Sequence, residues 1–209
     1  MADISTYTNQ QGTFNFKDSK SRQIAEWNYS HGVKNILQNT MVGGTSRGVM
    51  FYIRQNGSII ISGTPTSYID TKYIVGTATA INPSYSQCVP IPKGTWLLKG
   101  LPNSSYVSSS RARFILYYYN TSSSSMQTYS LYNPDGFEFT ITGDDARYAL
   151  CLYISDSDKC EYVYGDDCTF YPHLMPAWAE DQTYSDYTMS NAELTQAIGD
   201  INSVLEEVL

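Results

Sequence analysis

Between residues 49 and 175 the chain is a succession of short apolar and β-branched runs, each cut off by turn-forming residues before a long helix could grow. Val49, Phe51 and Ile53 alternate with Met50, Tyr52 and Arg54, which is the period of a strand with one buried face. A β-branched run over 58–62 follows, and Asn56-Gly57 between them predicts a hairpin with a type I′ turn. Further strand-like runs occupy 72–81, 95–101, 111–120, 127–132, 136–142, 147–154 and 169–175. Turn-rich text separates them, for example Asn133-Pro134-Asp135-Gly136 and Gly143-Asp144-Asp145. No alternation of strands with helices is visible between residues 40 and 175. The pattern predicts an all-β domain over residues 32–178, an antiparallel β-sandwich of the jelly-roll kind.

The flanks read differently. Residues 1–31 form a short N-terminal arm or docking segment: 1–12 are polar without a repeating apolar pattern, and 18–27 suit about two turns of helix with Ile24 and Trp27 on one side. A polar linker covers 179–189, and a helix is expected over 190–209. Ser190 and Glu193 have the capping-box spacing, in which hydroxyl and carboxylate satisfy the amides at a helix start. Leu194, Ile198, Ile201, Leu205 and Val208 then step in the a/d rhythm of a coiled coil. With isoleucine at both seam positions, the pattern favours a homotrimer. Gly199 costs the helix about 1 kcal/mol relative to alanine, so it needs partners. Those partners are other copies or the helix's own domain.

Charge narrows the function. All 13 lysines and arginines fall in residues 1–159, while residues 160–209 hold 10 of the 20 acids and no base. No basic stripe is left to collect phosphates, which argues against nucleic-acid binding. No apolar run reaches the roughly 20 residues of a membrane helix. Cys88, Cys151, Cys160 and Cys168 lack metal-ligand spacing, and His31 and His173 stand apart from them. The N-terminus carries no charged-then-apolar export segment, so synthesis in a reducing cytosol with unpaired thiols is expected, although the even count permits two disulfides.

No catalytic residue is assigned. The acid pairs Asp144-Asp145, Asp156/Asp158 and Asp166-Asp167 lie in turn-like text, where acids are usually solvated or capping local amides. A structural Ca²⁺ would need Asp156, Asp158, Asp166 and Asp167 to converge from the 155–168 loops, and solvated turn acids are the simpler reading. No cofactor is implied. The 19 tyrosines are more informative. Tyr117 and Tyr119 share one face of their strand, and Tyr162 and Tyr164 share a face beside Asp166 and Asp167. If those strands are neighbours, they make a tyrosine platform rimmed by acids, which suits the C–H faces and hydroxyls of a saccharide. A core or subunit-contact face is the competing use for each ring.

Three segments in order resemble a module of bacteriophage and prophage tail and baseplate proteins. Gly32-Val33-Lys34-Asn35-Ile36-Leu37, with Gly48-Val49-Met50-Phe51 and Asn56-Gly57-Ser58-Ile59, is similar to its opening and first hairpin. Pro90-Ile91-Pro92-Lys93-Gly94-Thr95-Trp96 is similar to its central strand pair. Phe170-Tyr171-Pro172-His173-Leu174-Met175, Tyr184, Tyr187 and Ser190-Asn191-Ala192-Glu193-Leu194-Thr195 are similar to its closing segment. His173 and Met175 depart from the family pattern, as does the missing proline before Tyr187. The resemblance implies a non-enzymatic virion component, made in the bacterial cytoplasm, that adheres to a host-surface glycan or attaches to other tail proteins. The alternatives are a carbohydrate-binding module of a glycoside-active protein and a ligand-free virion decoration.

Overall fold

The computed structural model describes residues 5–9, 12–16 and 35–179. The chain divides into two compact units, one combining Met1–Lys34 with Thr188–Leu209 and the other spanning Asn35–Tyr187. In the first, β1 (Ser5–Asn9) and β2 (Gly12–Phe16) pair as an antiparallel hairpin. Residues 1–12 had offered no apolar period to announce it. The helices expected over 18–27 and 190–209, with the seam Leu194, Ile198, Ile201, Leu205 and Val208, lie outside the described residues.

The second unit is all-β and antiparallel, and its described residues hold only two short 3-10 turns, Tyr85–Gln87 and Asp166–Cys168. A four-stranded sheet has the order β13 (Thr169–Phe170), β5 (Ile59–Gly63), β4 (Val49–Ile53), β3 (Gly44–Ser46). A five-stranded sheet runs β10 (Gln127–Leu131), β9 (Ala112–Tyr119), β12 (Arg147–Ile154), β6 (Tyr73–Val75), with β7 (Val89–Pro90) also on β12. A three-stranded sheet places β8 (Gly94–Lys99) between β11 (Phe137–Ile141) and β14 (His173–Pro176).

Alternation decides which side chains meet. Phe51, Ile59, Ile61 and Phe170 share one face of the four-stranded sheet, and all are buried. Phe114 on β9 meets Phe170 from the five-stranded sheet, with ring centres 6.0 Å apart. Two residues on, Leu116 is buried on the same side, and Tyr118 reaches Phe139 of the three-stranded sheet at 5.2 Å. The two smaller sheets therefore pack on one face of the largest. That burial is the main stabilising contribution, about 25 cal/mol per Å² of apolar surface removed from water.

Chain entry is fixed by a buried polar anchor. The Asn35 carboxamide oxygen accepts the amides of Leu37 and Leu174, each at 2.9 Å, and Ile36 N–H donates to the Leu174 carbonyl at 3.0 Å. Burying an amide side chain is tolerable when its bonds are made in this way.

The hairpin at Asn56-Gly57 forms, but not through a type I′ turn. Gly57 has a φ of 79°, while Asn56 is absent from the positive-φ residues. Gly57 N–H bonds the Arg54 carbonyl and Arg54 N–H the Ser58 carbonyl, both at 2.9 Å, making a three-residue loop closed by a left-handed glycine. Asn56 instead accepts the Ser58 amide at 3.1 Å and its hydroxyl at 2.8 Å, which holds it outside the left-handed region. The two-residue turn with paired positive φ lies elsewhere, between Ser46 and Val49, with Arg47 at 44° and Gly48 at 86°.

Candidate ligand-binding surface

The outer face of the four-stranded sheet carries Tyr52, opposite Ile60 on β5. Tyr52 is 42% exposed while Ile60 is buried, because the segment 161–168 folds across the sheet beyond it. That segment is pinned at several points. Tyr162 exchanges backbone hydrogen bonds with Gly63 at 2.8 and 2.9 Å, and the Thr169 hydroxyl donates to the Gly165 carbonyl at 2.7 Å. The Ser104 hydroxyl donates to the Asp167 carbonyl at 2.7 Å. Tyr162 and Cys168 are only 1% and 0% exposed and act as the two anchors. Between them Val163 and Tyr164 stand out, 59% and 57% exposed, and Asp166 and Asp167 are also exposed.

Tyr164 meets Tyr52 edge to face, with centroids 5.3 Å apart and an interplanar angle of 88°. This geometry suits the ring quadrupoles and holds both rings in place without hiding them. Two fixed aromatic faces beside two exposed carboxylates make a surface to which a polar ring with apolar C–H bonds can adsorb. The carboxylates accept hydroxyl hydrogen bonds, and the rings exclude water beneath.

Three of the expected platform residues, Tyr164, Asp166 and Asp167, thus belong to one loop, and Tyr52 joins them. The other three do not. Tyr117 is 1% exposed and lies on the outer face of the five-stranded sheet, where residues 76–88 cover it. Tyr162 is equally buried, its ring packed 5.7 Å from that of Tyr106 and its hydroxyl without a hydrogen-bond partner. Neither presents a ring to a surface ligand. Tyr119 shares the Tyr117 face but is half-buried, and its hydroxyl donates to the Pro83 carbonyl at 2.9 Å. Nor are the two tyrosine pairs neighbours, since Tyr162 bridges Gly63 while Tyr117 pairs with β10 and β12 and Tyr119 with β12.

Those inner tyrosines fasten the 76–88 segment. The Tyr73 hydroxyl donates to the Ala80 carbonyl at 2.8 Å, and Tyr85 packs edge-on against Tyr119 at 5.6 Å. The Arg147 guanidinium lies 5.0 Å over Tyr85 and donates to the Cys88 carbonyl at 2.9 Å. Desolvation raises the Tyr73 hydroxyl well above its usual range and pushes Tyr117 up to about 12. The Tyr117 hydroxyl makes no hydrogen bond of good geometry, although the Tyr73 hydroxyl and the Asn82 backbone both act on it. Buried neutral phenols of this kind are packing groups rather than acids or nucleophiles at neutral pH.

Two of the three acid pairs serve partners within the protein. Asp144 pairs with Lys93 at 2.6 Å, Asp158 with Arg111 at 2.6 Å and Asp156 with Lys159 at 3.5 Å. Asp145 accepts the Ser122 amide at 3.1 Å, which holds its carboxyl below the usual range. Among the described residues no three His, Cys, Asp or Glu side chains come together as a metal site, and no helix is long and apolar enough to cross a membrane. The four cysteines carry no disulfide.

No protein-family model matches the sequence, and no curated protein matches it. A chain from the crystal structure of accessory secretory protein 1, 2 and 3 in Streptococcus pneumoniae is similar in backbone, with a TM-score of 0.41 and 11% identity over 68% of this chain and 92% of that chain.

Proposed function

We propose that the chain is a non-enzymatic tail or baseplate component of a phage virion whose β-body, of jelly-roll type, adheres to a neutral host-surface glycan. The observation that carries this reading is the Tyr52–Tyr164 edge-to-face pair, displayed beside Asp166 and Asp167 on a loop anchored by buried Tyr162 and Cys168. Rigid aromatics lose little conformational entropy on binding, so a small site retains useful affinity. Several copies in one particle then raise avidity through effective concentration. The seam residues Leu194, Ile198, Ile201, Leu205 and Val208 supply those copies as a homotrimer.

A glycan array probed with the full chain, Tyr52→Ala and Tyr164→Ala tests the site. Wild-type binding that both variants lose, with unfolding midpoints kept, supports adhesion. Binding that survives both places the site elsewhere. Absence of any binding favours attachment to other tail proteins or a ligand-free decoration. Sedimentation of the full chain against a truncation lacking 190–209 tests the trimer: a monomeric mass in both rejects it.

A further inference from the structure

At the far end of β4 from Tyr52 a second aromatic group is built quite differently. Arg47 places its guanidinium carbon 5.3 Å from the centre of the Tyr68 ring. Tyr68 stacks on Tyr153 with centroids 6.3 Å apart and an interplanar angle of 13°, and Arg113 lies 4.1 Å over Tyr153. Two cations thus flank two stacked phenols. Tyr68 is 47% exposed and Arg47 is exposed, whereas Tyr153 and Arg113 are half-buried. The open end of the group is the Arg47–Tyr68 end.

Arg47 occupies its place at the expense of a strained backbone. It is the first central residue of a two-residue turn, at a φ of 44°, where glycine, asparagine or aspartate is the low-strain choice. A bulky residue held in the left-handed region points from geometry toward function. Its side chain is oriented by donation from Nη1 to the Tyr68 carbonyl. A guanidinium has five N–H donors, so most of its edge still faces outward while its plane sits against the ring. Among the described residues no carboxylate forms an ion pair with Arg47 or Arg113.

The inner end is less receptive to an anion. Arg113 donates to the Ser109 carbonyl at 2.6 Å, and Asp70 and Asp156 act electrostatically on Tyr153. A negative group would therefore settle on Arg47, with its apolar neighbour against the exposed part of Tyr68.

We propose that Arg47 and Tyr68, buttressed by Tyr153 and Arg113, form a binding site for an oxyanion-bearing saccharide or polyol polymer. The planar guanidinium edge takes the carboxylate or phosphate in paired hydrogen bonds, and the phenol ring takes the adjoining C–H surface. This site is separate from the Tyr52–Tyr164 surface and does not depend on the neutral-glycan reading.

The test is calorimetric titration of the full chain with three probes of equal length: an oligogalacturonate, an oligo(glycerol phosphate) and an uncharged galactan oligomer. Binding of either anionic probe is expected, weakening as salt screens the charge, while any galactan binding belongs to the Tyr52–Tyr164 surface and should be unaffected by Arg47→Asn. Arg47→Asn keeps a residue suited to the left-handed turn while removing the guanidinium, and it should reduce anionic affinity at least tenfold. Tyr68→Ala should do the same, and Tyr164→Ala should leave it unchanged. Which anionic probe binds identifies carboxylate or phosphate as the recognised group. Wild-type protein that binds neither anionic probe, or Arg47→Asn that binds as well as wild type, overturns the proposal.

Discussion

Phe114 and Phe170 face each other across the core with ring centres 6.0 Å apart, and they join the five-stranded sheet to the four-stranded one. Both are fully buried, so neither can shed its neighbours without opening a cavity. Phe114→Ala should lower the unfolding free energy by about 3–5 kcal/mol, the usual cost of removing a core phenylalanine. Urea titration followed by tyrosine fluorescence measures it, and a loss below about 1 kcal/mol would show that the sheets do not depend on this contact.

The 76–88 segment is held partly by phenol hydroxyls. Tyr73→Phe keeps the ring and deletes the bond to the Ala80 carbonyl, which is exposed enough for water to take over. The expected destabilisation is about 0.5–1.5 kcal/mol. Amide exchange within 76–88 should accelerate more than exchange in β9 or β12. Equal acceleration everywhere would contradict the local role.

Thiol chemistry should be selective. Cys151, Cys168 and Cys88 are 1%, 0% and 3% exposed, whereas Cys160 is half-exposed. Desolvation pushes the Cys88 and Cys168 thiols up to about 11 and raises Cys151 further, so little thiolate is present near neutral pH. A maleimide added to native protein should label Cys160 first and the other three only after denaturant. Mass spectrometry of the labelled peptides reads the order.

Acid should weaken the fold through Asp158. Its hydrogen bond and ion pair with Arg111 at 2.6 Å hold its carboxyl below the usual range. A carboxyl with a depressed folded-state pKa stabilises above its unfolded value, near ~3.9, and that contribution disappears as pH falls through the folded value. Both side chains are about a third exposed, so the effect is small. Asp158→Asn should flatten the decline in denaturation midpoint below about pH 4 relative to wild type. Identical slopes in the two proteins would assign the acid response to other carboxyls, Asp145 foremost.

Strands with strong local grammar were legible in the sequence. The run 147–154 has the bounds of β12, because nearly every side chain there is buried and the apolar text is continuous. The run 72–81 proved shorter: β6 stops at Val75, since Gly76 takes a φ of 102° and turns the chain out over the sheet. The run 169–175 divides into β13 and β14, with Tyr171 and Pro172 between them. Pro172 has no amide to continue a ladder, and the Tyr171 amide bonds the Gly100 carbonyl at 2.8 Å instead. The strands β3 and β7 are too short to carry a period at all.

For the binding surface, period two told which tyrosines share a face but not what covers that face. Tyr117 and Tyr119 do lie together, yet the cover is the distant 76–88 segment, whose tertiary path leaves no mark on the period of β9. Tyr52 carries no sequence signal of a site for the converse reason. It looked like the solvent side of an ordinary hairpin, and its partner Tyr164 lies more than a hundred residues away.

Both β13 and β14 are late in the chain, and they close different sheets by pairing with β5 and β8. A nascent polypeptide halted before Tyr162 would lack both the Tyr162–Gly63 bridge and β13, and would expose the flank of β5, a run of three isoleucines. Such a stalled product is a seed for cross-strand aggregation. Premature stop codons in this stretch should therefore yield insoluble material rather than a smaller working protein.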